Sequence, residues 1–256
     1  MRGTLVNRKW VVRPRPVAEP DVRVICFPHI GAGASIYNEW ADRLPAGAEL
    51  CAVRFPGREN RLDEPPIEEM PELLETLGSV LAPVTQGRFV LFGHCSGSLV
   101  AFEFARWLRA QGRPQPELLV VSSIEAPAVR SIESPLHLLP REELFEQVAS
   151  FGGVAPGVLG DPDLMEMFEP VLRADYRLIE RAPYAPGLPL DVPIAVAGGM
   201  HDHFVTYESM AAWRWETTRP FSLHMYPTSH FVLDEASELV SALLRGAPAA
   251  GAGPTG

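Results

Sequence analysis

The chain of 256 residues sets 22 basic against 32 acidic side chains, a formal charge of -10, and 46% of its residues are hydrophobic. That apolar fraction over that length supplies a large core, which excludes a disordered chain and suits one large α/β domain or two small ones. The longest apolar runs, Leu118 to Val121 and Ile194 to Ala197, are strand-sized and far below the ~20 residues that span a bilayer. No apolar stretch of the signal-peptide kind follows Met1. The reading is a soluble, cytoplasmic protein with no membrane partner.

An acidic balance without a basic stripe also argues against nucleic acid, whose phosphates require clustered Lys and Arg. The charge is uneven, however. Arg2, Arg8, Lys9, Arg13 and Arg15 precede the first acid, Glu19, so residues 1–20 read as a basic N-terminal arm, either a solvated tail or a surface that steers an acidic protein partner. Cys26, Cys51 and Cys95 lack CxxC spacing, which signals neither a disulfide framework nor a zinc site.

In chain order, strands are expected at Val22 to Phe27, Leu50 to Phe55, Phe89 to Phe92, Leu118 to Ser122, Ile194 to Ala197 and Ser222 to Tyr226, with helices following most of them. This alternation is that of a mostly parallel sheet flanked by helices. The clearest helix spans Ser98 to Arg109, where Val100, Phe104 and Leu108 share one face, and it stops before Gly112 and Pro114. Between about 126 and 189 the alternation ceases, and helical segments are expected at Arg141 to Phe151, Leu164 to Met167 and Val171 to Arg181. An insertion of that length between two strands reads as a lid over a site. The α/β domain then covers 21–245, and residues 246–256 form a disordered tail.

The most informative segment is Gly93-His94-Cys95-Ser96-Gly97, where an apolar strand runs directly into an amphipathic helix. Gly-x-Cys-x-Gly has the spacing of a nucleophile elbow, with glycines where side chains would collide with the neighbouring strand and helix. Cys95 then sits at a helix N-terminus, which stabilises a thiolate. Ser96 is the rival nucleophile, but its flanking positions are His94 and Ser98 rather than glycine. Cys26 and Cys51, inside apolar strands, read as core.

The loop Gly198 to Val205 follows one late strand and Pro227 to Phe231 follows the next, both at the strand ends where α/β sites assemble. Asp202 is therefore expected to orient His230, and His230 to exchange protons with Cys95. His201-Asp202-His203 as a metal cluster is the weaker alternative, because adjacent residues on one loop seldom converge on one ion. His29, His94, His137 and His224 read as packing or hydrogen-bonding residues. The loop Phe27 to Ala34 matches neither a dinucleotide fingerprint nor a P-loop. Its Ile30 N–H and that of Ser96 are expected to form an oxyanion hole.

These segments, together with Phe55-Pro56-Gly57-Arg58-Glu59-Asn60-Arg61-Leu62, resemble the type II thioesterases that accompany polyketide synthases and nonribosomal peptide synthetases. The likeness spans about Val22 to Leu244. It implies the α/β-hydrolase fold with a helical lid, cleavage of acyl thioesters from the phosphopantetheine arm of an acyl or peptidyl carrier protein, and no metal or organic cofactor. Because carrier proteins are acidic, the N-terminal arm, Arg58 and Arg61 become candidate contacts, with a structural loop role the alternative for the two arginines. Three positions depart from the family pattern. Cys95 stands where the elbow usually has serine, Ile30 replaces the usual alanine of the oxyanion loop, and Thr228-Ser229 replaces a small or acidic stretch before His230. An acyl group on Cys95 remains a thioester, so transfer to an amine or thiol is as open as hydrolysis. A cysteine introduced to trap an acyl-enzyme and a non-catalytic carrier-binding module are the remaining readings. Oligomeric state, acyl chain and pathway are not encoded in these motifs.

Overall fold

The computed structural model describes residues 7–132, 134–152, 157, 161–182 and 184–246. Seven strands, β1 (Val11–Val12), β2 (Val22–Phe27), β3 (Ala48–Val53), β4 (Phe89–His94), β5 (Leu118–Ser122), β6 (Ile194–Gly199) and β7 (Phe221–Tyr226), form one sheet in the order β1-β3-β2-β4-β5-β6-β7. Only β1 runs antiparallel; every other neighbouring pair is parallel. Strands β3 and β4 are buried along their whole length. Continuous apolar runs such as Phe89 to Phe92 are what a sheet covered on both faces requires.

The helices that accompany the sheet among the described residues include α1 (Trp40–Arg43), α2 (Met70–Val80), α3 (Ser96–Ala110), α4 (Arg141–Ser150), α5 (Pro162–Glu180), α6 (Tyr207–Ala211) and α7 (Leu233–Leu244). Leu73, Leu77, Phe104 and Leu108 from α2 and α3 pack with Ile25, Leu91 and Val121 on one face. Trp40, Ala236 and Val240 pack with Val24, Phe92 and Val120 on the other. Cys26 and Cys51 are fully buried in these two layers. No helix among the described residues is long and apolar enough to cross a membrane.

Several boundaries differ from the sequence reading. Strand β3 lies two residues earlier than expected, because β1 pairs Val11 with Val53 and Val12 with Ala52 and leaves Arg54 to donate to Trp10 O. Residues 1–20 are consequently no free arm throughout. Trp10 is core, and Lys9 and Arg13 are paired with Glu64 and Glu49. Arg8 and Arg15 remain exposed, whereas Arg2 and residues 247–256 of the expected tail lie outside the described residues.

In the lid region, the two segments expected on either side of Pro170 are one helix, α5. A proline inside a helix removes one backbone bond and costs ~3 kcal/mol or more. Burial of Val171, Leu172, Ala174, Tyr176, Leu178 and Ile179 along one face offsets that loss. The helix start is well defined: Asp161 accepts from the Asp163 and Leu164 amides, and Pro162 occupies the first turn, where no donor is missed.

Candidate active site

Strand β4 delivers Cys95 to the N-cap of α3 in a strained conformation, φ 50° and ψ -123°. The two flanking glycines explain how the chain tolerates it. A Cβ on Gly93 would lie 2.3 Å from the Gly97 backbone, and one on Gly97 would lie 2.1 Å from the Phe27 carbonyl oxygen. Only glycine permits strand, turn and helix to approach so closely. The Cys95 amide donates to Ser122 O and the Ser98 hydroxyl to Gly93 O, which fixes the turn against β5. Cys95 is the one partly exposed cysteine of the three.

Loops after β6 and β7 bring the two other predicted side chains to the same sheet edge. They are lashed together by Met200 N donating to Tyr226 O and His201 N to Thr228 O. His230 Nδ1 donates to Asp202 Oδ2 at 2.8 Å, with the Asp202 side chain sealed from solvent. Asp202 Oδ1 accepts from the Phe204 and Val205 amides at 2.9 and 3.2 Å. Against the opposing effect of burial, these bonds and the facing imidazole hold the Asp202 carboxyl below its ordinary range. Burial likewise works against a charged His230, but the hydrogen bond to Asp202 and the neighbouring Cys95 overturn it and push the imidazole up to about 10. Cys95, His230 and Asp202 thus form one electrostatic unit. The engagement of Asp202 with His230 and two amides also tells against the metal-cluster alternative for His201-Asp202-His203.

Ile30 and Ser96 flank Cys95 from the β2 loop and the first turn of α3. Neither backbone N–H meets an acceptor among the described residues, which is what two oxyanion donors require. His29 and Ile30 line a cavity of about 490 Å³ with Cys95 and His230, and the lid contributes Val148, Phe151 and Tyr176. Burial and the nearby His230 lower His29 to about 4, so it is neutral around pH 7. His94 is buried behind the turn, with Nδ1 2.6 Å from the Ser122 hydroxyl. His137 pairs with Glu180 and His224 with Ser222. His201 and His203 are exposed.

Arg58 and Arg61 change standing. Each is only 4% exposed, so neither presents the free charge a carrier protein contacts. Arg61 stacks over Trp10 and binds Glu64, while Arg58 binds Asp175. Their charges organise loops instead.

Two residues near the site escaped the sequence reading. Ser123, at φ 49° beyond β5, is fully buried and donates to His230 O at 2.6 Å, holding the loop that carries the imidazole. Its only sequence signal is its position immediately past a strand end. Asp175, in the middle of the lid helix α5, reaches the β2 loop, and nothing in its local pattern marks it.

A family model described as a thioesterase domain matches residues 22–246. The gramicidin S biosynthesis protein GrsT of Aneurinibacillus migulanus is 36% identical over 228 residues, covering 89% of each chain. Thioesterase PikA5 of Streptomyces venezuelae is 33% identical over 227 residues, covering 88% of this chain and 80% of its own. Among solved structures, the type II thioesterase BorB from the borrelidin cluster superposes with a TM-score of 0.83 at 35% identity, covering 95% of this chain and 98% of its own. The RedJ thioesterase of the prodiginine pathway in Streptomyces coelicolor gives 0.81 at 33% identity, with 90% and 96% covered.

Proposed function

The chain belongs to the thioesterase family and is a thioester hydrolase of the α/β-hydrolase fold; from that premise we propose that it releases acyl groups from the phosphopantetheine arm of carrier proteins in polyketide or nonribosomal peptide biosynthesis, in the cytoplasm, through an acyl-enzyme on Cys95. The relatives named for gramicidin S, borrelidin and prodiginine biosynthesis support the setting. The observation that carries the chemistry is the strained Cys95 at the head of α3 beside an imidazole held by a carboxylate.

In this reading the Cys95 sulfur attacks the thioester carbonyl carbon, and the negative oxygen that develops is met by the Ile30 and Ser96 N–H groups. Collapse breaks the bond to pantetheine sulfur, which leaves with the proton that His230 holds. Water then enters, His230 takes one of its protons, hydroxide adds to the acyl carbon, and the free acid leaves as Cys95 is regenerated. Asp202 keeps the imidazole aligned and stabilises its charge in both halves. Every proton and bond is accounted for by these side chains and water, so the reaction as written uses no metal or organic cofactor.

Sulfur at residue 95 favours a second outcome. Acyl transfer from pantetheine to Cys95 exchanges one thioester for another, so the acyl group stays activated toward an amine or a second carrier thiol as well as toward water. Intact-mass measurement on protein mixed with an acyl-pantetheine thioester tests the proposal. An acyl adduct and released pantetheine are expected, both lost in Cys95→Ala and His230→Ala. Their absence from the wild type would favour a non-catalytic docking module. With amines or a second carrier supplied, exclusive formation of free acid would remove the transfer reading.

A further inference from the structure

The lid helix is wired to the oxyanion loop through one buried ion pair. Asp175, 8% exposed on α5, accepts at Oδ2 from the Gly31 amide at 2.8 Å, one residue past Ile30. Arg58 clamps the same carboxylate in a bidentate fork, Nη1 to Oδ2 and Nη2 to Oδ1, both 2.8 Å. Arg58 Nη1 also donates to Ala32 O and Nε to Pro56 O, each at 3.2 Å. One guanidinium and one carboxylate therefore hold residues 31 and 32 from both sides. The packing repeats this arrangement. Gly31 has φ +73°, and a Cβ there would lie 2.9 Å from Leu172 of α5, while one on Gly57 would lie 3.2 Å from Val171.

We propose that Asp175 is a positioning residue for the oxyanion hole, its pair with Arg58 seating helix α5 on the β2 loop so that the Ile30 N–H is aligned only when the lid is docked. The physical case rests on geometry and burial. A bidentate charge-assisted pair fixes direction as well as distance. Inside the protein, neither partner is left without the other cheaply. The Gly31 peptide is joined to the donor's own peptide through the Cα of Ile30, so a shift of the loop that frees Gly31 N from Asp175 reaches the Ile30 N–H across a single φ/ψ pair. The proposal rests on the reading of Ile30 as a donor to the developing oxyanion, and it adds that lid position and chemical competence are one variable.

The test separates acyl chemistry from thiol chemistry. Alkylation of Cys95 by iodoacetamide requires a nucleophilic sulfur but no oxyanion hole, whereas attack on a thioester requires both. Asp175→Ala and Arg58→Ala are expected to lower kcat for an acyl-pantetheine thioester on the order of 10- to 100-fold, a part of the ~10²–10³-fold cost of deleting one oxyanion donor. KM should change less than kcat, and the alkylation rate should stay within about twofold of wild type, as expected for a loss confined to the transition state. Asp175→Asn retains an oxygen for the Gly31 amide and should recover part of the loss. Thermal unfolding and circular dichroism identify any variant that has failed to fold, in which case Asp175→Asn alone decides. Unchanged kcat in Asp175→Asn and Asp175→Ala, or alkylation and turnover falling together in a folded variant, would overturn the proposal. Failure of the wild type to acylate would instead sink the proposed function and leave the ion pair a structural element.

Discussion

Asp202→Asn perturbs the largest of the interactions that keep His230 protonated. His230 is displaced from an ordinary 6.5 to about 10, against the effect of burial and with Asp202 and Cys95 as the groups that raise it. At ~1.4 kcal/mol per pH unit that displacement corresponds to about 5 kcal/mol of preference for the protonated ring. In the proposed mechanism this proton goes to the departing pantetheine sulfur, so kcat/KM for an acyl-pantetheine thioester should persist well above pH 8 and fall only as His230 loses its proton near 10. In Asp202→Asn the carboxylate's share disappears, the alkaline limb should move down by one or more pH units, and turnover should fall by ~10²–10⁴-fold, the range general acid–base catalysis supplies. Stability follows the same sign. His230 binds its proton more tightly folded than unfolded, so its contribution is complete below about 6.5 and is lost as pH climbs through about 10. Asp202, held low, contributes above about 4 and loses that contribution as pH falls. The pH–rate profile on wild type and variant, paired with pH-dependent thermal unfolding, measures both. A wild-type alkaline limb near pH 7, or an identical limb in Asp202→Asn, would refute the coupling.

Three further outcomes follow from named contacts. Gly97→Ala forces a methyl within 2.1 Å of Phe27 O; overpacking of this kind costs ~1–3 kcal/mol, and because Phe27 leads into the loop that carries Ile30, the proposed oxyanion donor, the variant should lose most turnover, so a near-normal kcat would contradict the elbow geometry. Trp213, fully buried, donates Nε1 to Ile124 O and meets Phe102 edge-on; Trp213→Ala should cost ~3–5 kcal/mol, on the order of 10 °C in Tm at ~2–4 °C per kcal/mol for a domain of this size, read by calorimetry. On the proposed mechanism Cys95→Ser would replace a thioester intermediate by an oxygen ester, which is less reactive toward amines, so the ratio of amide to free acid with an added amine should fall; an unaltered ratio would mean that sulfur does not decide the outcome.

What sequence conveyed about this molecule divides by the range of the interaction. Strand-sized apolar runs flanked by Gly and Pro placed β2, β4, β5, β6 and β7 within a residue or two, because burial on both faces of a parallel sheet writes itself into local composition. The elbow was legible for the same reason: Gly93, Cys95 and Gly97 meet their steric requirements within five residues of each other. Asp202 and His230 were legible through position at strand ends, since parallel topology converts chain order into proximity at one edge. β1 was hidden because two residues of edge pairing leave no periodicity, and it is the register with β3 that recruits Trp10 to the core. Continuity of α5 through Pro170 was hidden because a local helix breaker was outweighed by tertiary burial. Arg58 illustrates the deepest limit. Its charge suggested a surface role, and only the fold reveals that its carboxylate partner lies 117 residues away and that the same carboxylate takes an amide 144 residues from its own position. An ion pair between helix α5 and the loop after β3 depends on tertiary closure, so no local pattern announces that Arg58 and Asp175 pair, and the contact becomes visible only where the two chain segments meet.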